Sequence, residues 1–352
     1  MELGSRRRGP GRARFLTAVA VLAAAWSLAA CSSTTATSTA AGSASATSAH
    51  IAAVKDLKIA IVLSGPITDH DFNQVGYDAA EAVGKKLGVK VSYAENVTDA
   101  NAESTIRNFA ASGYNLIIAH SFSFGDATLK VAADYPKTVF MVGTAVKNAP
   151  NVGTYDNPDY QGAYLAGMLA AGISTSGTIG WVSAMPIPNL LANLHAYEDG
   201  AKSINPKEKI LHSFIGSFYD PASAKEAALA QIQAGAQVLS SQTVGVINGA
   251  ISGHALAIGA LTDQNFLGPQ NVLTSVTWDL TPLFLDIANS VEAGTWTNKA
   301  YSYGIAQGAI GLASFHGLAG KVPAALLAKV EAKMAAIKDG TFTVPHDTTV
   351  VK

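Results

Sequence analysis

Phe72-Asn73, Ser121-Phe122, Phe218, Asp220, Gln242-Thr243 and Asp263 each follow closely on a short apolar run. Their rings, amides, hydroxyls and carboxylates suit holding a small molecule more than transforming one. An aromatic ring can stack on any flat ligand, whatever that ligand's hydrogen-bonding edge. An amide such as Asn73 donates and accepts at once, and a carboxylate such as Asp263 can accept from a ring N–H. Core packing is the alternative role for each of these rings. Catalysis finds little footing. His70, His120 and His254 stand in no H-x-x-H or H-E-x-x-H pattern, so no three or four metal ligands converge and neither a metal nor a cofactor is expected. Cys31 is the only cysteine and there is no G-x-S-x-G nucleophile motif. Gly245 to Gly249 lacks the G-x-G-x-x-G spacing of a dinucleotide loop. His120 reads as a loop-end histidine bonded to a backbone carbonyl.

The elements that must position these residues alternate. Apolar runs at 58–63, 90–93, 116–119 and 138–142 read as strands, with helical patterns at 73–87, 102–112 and 127–135 between them. After a helix over 159–173 the rhythm restarts, with strands at 178–182, 210–214 and 238–240 and helices at 190–203 and 223–234. Strand, helix, strand at this spacing predicts parallel sheets covered on both faces. The fold class is therefore α/β, with two similar lobes in tandem: 55–174 with 276–297, and 175–275 with 298–345. Open sheets of this kind bind ligands at the carboxyl ends of their strands, which is where the segments named above fall.

Arg6, Arg7, Arg8, Arg12 and Arg14 precede an apolar stretch from Phe15 to Ala30. That stretch falls short of the ~20 residues of a bilayer span and fits a signal-peptide core, predicting cleavage of residues 1–30. Leu28-Ala29-Ala30-Cys31 resembles the bacterial lipobox, which implies acylation of Cys31 and attachment to a lipid bilayer. An ordinary signal peptide followed by a chance cysteine, or a lone buried thiol in a cytosolic domain, is the alternative. Residues 31–54 are mostly Ser, Thr, Ala and Gly and read as a flexible leash. A formal net charge of −1 leaves no electrostatic footprint for nucleic acid. A monomer is expected.

Asp71-Phe72-Asn73-Gln74, Tyr164-Leu165-Ala166-Gly167, Pro186-Ile187-Pro188, Phe218-Tyr219-Asp220-Pro221 and Leu273-Thr274-Ser275 together resemble the basic membrane protein family. These are substrate-binding lipoproteins of ABC transporters for purine nucleosides and related bases. The resemblance runs from about Leu57 to about Gly340 and implies the type I periplasmic-binding-protein fold, two Rossmann-like lobes joined by three crossovers. It further implies a permease and an ATPase as partners, and a purine held between Phe72 and Phe218, with Ser121 and Phe122 in a loop lining the cleft. Nucleoside-binding members carry a lysine where this chain has Trp278, and often an acidic residue where it has Val244. Loss of a sugar-contacting charge points to a purine base, with the nucleoside as alternative. Asp279 either replaces part of that polar contact or caps the following helix. A receptor that signals to a membrane kinase is a further alternative to import.

Overall fold

The computed structural model describes residues 51–156 and 158–351. The predicted signal segment 1–30, the expected acylation site Cys31 and nearly all of the predicted 31–54 leash lie outside the described residues. Within the described part the predicted alternation is present. The first run of elements is β1 (Ile59–Leu63), α1 (Phe72–Leu87), β2 (Val91–Ala94), α2 (Asp99–Ala111), β3 (Leu116–His120), α3 (Gly125–Asp134), β4 (Val139–Gly143) and β5 (Val152–Asp156). A second run follows as α4 (Tyr160–Ile173), β6 (Thr178–Ser183), α5 (Pro188–Ile204), β7 (Lys209–Phe214), α6 (Pro221–Gln233), β8 (Val238–Gln242), α7 (Val246–Ser252), β9 (Leu256–Leu261) and β10 (Val272–Trp278). The chain closes with α8 (Thr281–Ala293), β11 (Ala300–Ser302), β12 (Ile310–Leu312) and α9 (Ala324–Lys338).

Two six-stranded sheets result, ordered β11-β5-β4-β3-β1-β2 and β12-β10-β9-β8-β6-β7. All pairings are parallel except β10 with β12. Every residue of β1, β3 and β4 is buried, because helices cover both faces of the sheet; this is why these strands read as unbroken apolar runs. The chain passes between the sheets three times, after β5, after β10 and after β11, as the resemblance implied.

The lobe boundaries differ from the sequence reading in three places. Helix α4, assigned to the first lobe, packs along α5 and against the second sheet. Its residues from Gly162 to Ala171 are all buried, since a helix apolar all round must be covered on every side. The approach to α5 is backbone to backbone: a Cβ on Gly167 would strike the Tyr197 carbonyl, and one on Gly200 the Tyr164 carbonyl. Strand β11, assigned to the second lobe, instead joins the first sheet beside β5; three residues with one buried side chain carry too little apolar pattern to show their partner. Finally, β10 stays in the second sheet through Trp278, while α8 packs on α1.

Candidate functional site

The loop from β1 to α1 is organised by Asp69. Its Oδ1 accepts from the backbone N–H groups of Asp71 (2.9 Å) and Gln74 (3.0 Å), and its Oδ2 from the Asn73 N–H (3.0 Å) and the Asn73 side-chain amide (2.8 Å). One carboxylate thus satisfies donors that a helix start leaves without partners. Sequence reasoning did not assign Asp69 this work, although an Asp just ahead of a predicted helix is a usable signal. Asn73, expected to face ligand, is 8% exposed, and its Oδ1 accepts from Gly65 N–H (3.0 Å) and Ser64 Oγ (3.3 Å). Its amide therefore ties the loop to the helix.

Asp71 occupies the N-cap position, yet its side chain makes no capping hydrogen bond. Burial, and next the charge of Asp69, push its carboxyl up to about 7, against the opposing Phe72 N–H. Phe72 opens α1, and one face of its ring is covered by the His120 imidazole, centroids 4.0 Å apart and 15° from parallel. Trp278 flanks both rings, at 5.9 Å from Phe72 and 6.1 Å from His120. His120, at the end of β3, is fully buried. Its Nε2 donates to the Phe72 carbonyl (2.8 Å) and its Nδ1 accepts from the Tyr155 hydroxyl. The carbonyl can only accept, so this arrangement specifies the neutral Nε2–H tautomer. Burial pushes the imidazole down to about 4, against the Phe72 carbonyl and the Asp69 charge.

Beyond β3, Ser121 Oγ pairs with Ser123 Oγ at 3.0 Å, and Ser123 donates to Asp99 (2.6 Å). Phe122 is exposed, whereas Phe124 two residues on is fully buried. On the second lobe, Phe218 and Tyr219 lie exposed at 57% and 60% ahead of α6. Asp220 caps α6, accepting from the Ser223 N–H (3.0 Å) and hydroxyl (2.7 Å), which hold its carboxyl below the usual range. Gln242 accepts from the Asn193 amide at 3.4 Å, and the neighbouring Thr243 hydroxyl is buried without a hydrogen-bond partner. Asp263 pairs with His316 Nε2 at 2.8 Å. Asp279 accepts from the Thr281 N–H at 2.8 Å, the helix-start role that was one of its two expected uses.

Phe72 and Trp278 are thus brought together, while Gln242 and Thr243 are chain neighbours at the end of β8. Asn73, Asp220, Asp263 and Asp279 each spend at least one oxygen on a local partner. Trp278 and Asp279, with Val75, Ala79, Leu261 and Thr262, line a cavity of about 370 Å³ whose walls include neither Phe72 nor Phe218. The lobes touch through a contact that the sequence did not suggest. The His70 carbonyl accepts from Thr262 Oγ1 (2.6 Å) and Gln264 Nε2 (2.9 Å), and the His70 ring meets the edge of Phe266 at 4.7 Å. Among the described residues, no group of three or more His, Cys, Asp or Glu could hold a metal ion.

The two α/β lobes thus meet at the carboxyl ends of their strands, and Phe122, Phe218 and Tyr219 stand exposed beyond strand ends. Comparison with known proteins gives that arrangement a context. Residues 56–339 match the family described as ABC transporter substrate-binding protein PnrA-like. The chain is 30% identical over 300 residues to a purine-binding protein of Brucella abortus, covering 83% of this chain and 85% of that one. It is 28% identical over 318 residues to an ABC transporter nucleoside-binding protein of Lactococcus lactis, covering 82% and 89%. A solved solute-binding protein of an ABC transporter system from Conexibacter woesei superposes with a TM-score of 0.69 at 27% identity, over 82% of this chain and 99% of that one. The chain therefore belongs to the PnrA-like family of ABC transporter substrate-binding proteins, which bind solutes and are not enzymes.

Proposed function

We propose that this substrate-binding protein captures a purine base outside the cytoplasm, tethered to the membrane through acylated Cys31, and delivers it to an ABC permease and its ATPase. One observation carries the reading. Phe72 and Phe218 sit on different lobes, Phe72 at the start of α1 after the loop from β1 and Phe218 in the loop after β7; Phe72 is half-buried against the core and Phe218 is 57% exposed. A base between two such rings gains roughly 1–3 kcal/mol per stacking contact. Ligand that bridges both lobes favours the closed arrangement by its differential affinity for it. The Brucella relative named for purine binding supports the same ligand class. Trp278, apolar and 3% exposed, stands where the family resemblance would place a sugar-contacting lysine, which favours a free base.

The nucleoside reading is the second, favoured by the name of the Lactococcus relative. A calorimetric titration series separates them, using adenine, guanine, hypoxanthine, xanthine, their nucleosides, and a sugar and an amino-acid control. Binding of bases but not nucleosides is expected. Binding of nucleosides alone would overturn the ribose-free reading, and binding of controls alone would remove the purine.

A further inference from the structure

We propose that His120 and Tyr155 are positioning residues of the binding site, a buried hydrogen-bonded pillar that fixes the ring of Phe72 so that only one face is offered to ligand. The proposal rests on Phe72 being a ligand contact, and it adds the residues that hold that contact in place.

The pillar is continuous from strand to ring. Tyr155, on β5, has 0% exposure and its hydroxyl donates to His120 Nδ1. His120, on β3, has 0% exposure and uses its other nitrogen on the Phe72 carbonyl at 2.8 Å. The chain of donors runs in one direction only: Tyr155 O–H to Nδ1, then Nε2–H to carbonyl. An imidazole with both nitrogens engaged cannot flip about its own axis without losing both bonds. It lies flat under Phe72 at 4.0 Å, so the same group holds the backbone and the ring of one residue. Tyr155 is itself buttressed edge-on by Phe284, centroids 5.3 Å apart.

The surrounding sequence makes room for this arrangement. A Cβ on Gly76 would come within 2.6 Å of His120 Cδ2, and one on Gly143 within 2.9 Å of the Tyr155 hydroxyl. Each partner thus sits where a glycine leaves space for it. Since both are wholly buried, neither touches ligand, and any effect on binding passes through Phe72. A stacking ring that is already held loses less side-chain freedom when ligand arrives, which raises affinity without a new contact.

The test uses Tyr155→Phe, which keeps ring and volume but removes the donor to Nδ1, and His120→Gln, which retains an amide donor. The first measurement needs no ligand: side-chain NMR order of a labelled Phe72 ring, with the ¹⁵N signature of the His120 tautomer. In the wild type an ordered ring and an Nε2–H imidazole are expected. In Tyr155→Phe the ring loses order and the tautomer is no longer single, while His120→Gln disorders Phe72 more and retains the melting transition. The second measurement is affinity for adenine and for inosine, with Phe72→Ala as reference. Tyr155→Phe should weaken whichever probe binds by roughly threefold to tenfold, the scale of one hydrogen bond. An unchanged Phe72 ring in both variants overturns the pillar, and so does unchanged affinity in both where Phe72→Ala weakens binding. If Phe72→Ala leaves both affinities untouched, the ligand reading fails, and the ring-order measurement still decides whether the pillar exists.

Discussion

Replacing Asp71 by Asn should stabilise the protein at neutral and alkaline pH and change little in acid. The carboxyl is pushed from 3.8 up to about 7, by burial first and the Asp69 charge second. A folded-state value above the unfolded one means that the native state holds the proton more tightly. The favourable contribution is then complete below pH 3.8 and is lost as pH rises through about 7. Asn copies the shape and neutrality of the protonated form without ever acquiring the charge. The full interval corresponds to roughly 4 kcal/mol at about 1.4 kcal/mol per unit. Asp71 is only partly buried, and solvent screening reduces the expected gain to roughly 2 kcal/mol. His120 titrates in the opposite sense over an overlapping range. Its folded value of about 4 lies below its ordinary 6.5, so its contribution falls as pH drops through that window. Taking the difference between variant and wild type cancels this and every other shared titration. Urea unfolding followed by tryptophan fluorescence at about pH 4, 6 and 8 should therefore show a difference near zero, then intermediate, then near its plateau. A difference that does not vary with pH, or a variant less stable at the alkaline end, would show that ionisation of Asp71 costs the fold nothing.

Other outcomes follow from the site and the packing. Phe218→Ala should weaken purine binding by roughly tenfold or more from the lost stacking and leave the ligand-free melting temperature unchanged, because the ring is 57% exposed. Phe72→Ala should weaken binding similarly but also lower the melting point modestly, since it uncovers His120; calorimetry and thermal melts check both. Gly200→Ala forces apart the backbones of α4 and α5 and should cost roughly 2 kcal/mol or more, whereas Gly320→Ala, with open space around it, should stay within about 0.5 kcal/mol. Cys31→Ala should move the protein from the membrane to the soluble fraction without altering ligand affinity; retention in the membrane fraction would remove the acylation reading.

The alternation of strands and helices was legible because β1, β3 and β4 are buried on both faces, and α1, α2 and α3 lie between strands at regular spacing. Local pattern carries that information. The positions of Phe218 and Gln242 at or just past a strand end, and of Phe72 at the helix start beyond β1, were legible for the same reason, since an apolar run marks where a strand stops. Partner choice was not. Strand β11 finds β5 across more than a hundred residues, and α4 crosses to the second sheet, because these placements are decided by which surface remains uncovered once the lobes assemble. The polar side chains divide in the same way. Sequence marked Asn73, Asp220, Asp263 and Asp279 as capable of hydrogen bonding, which their chemistry guarantees. The partners Asp69 for Asn73, Ser223 for Asp220 and Thr281 for Asp279 are neighbours within four residues at helix starts, and capping by Asp279 was one of its expected uses; the tertiary structure alone brings His316 to Asp263. Residue order alone specifies the α/β class, the alternation of the two lobes and the strand ends near which the candidate ligand residues fall. The folded chain decided which groups there are already spent and which rings remain open, because a hydrogen bond depends on distances that residue order does not contain.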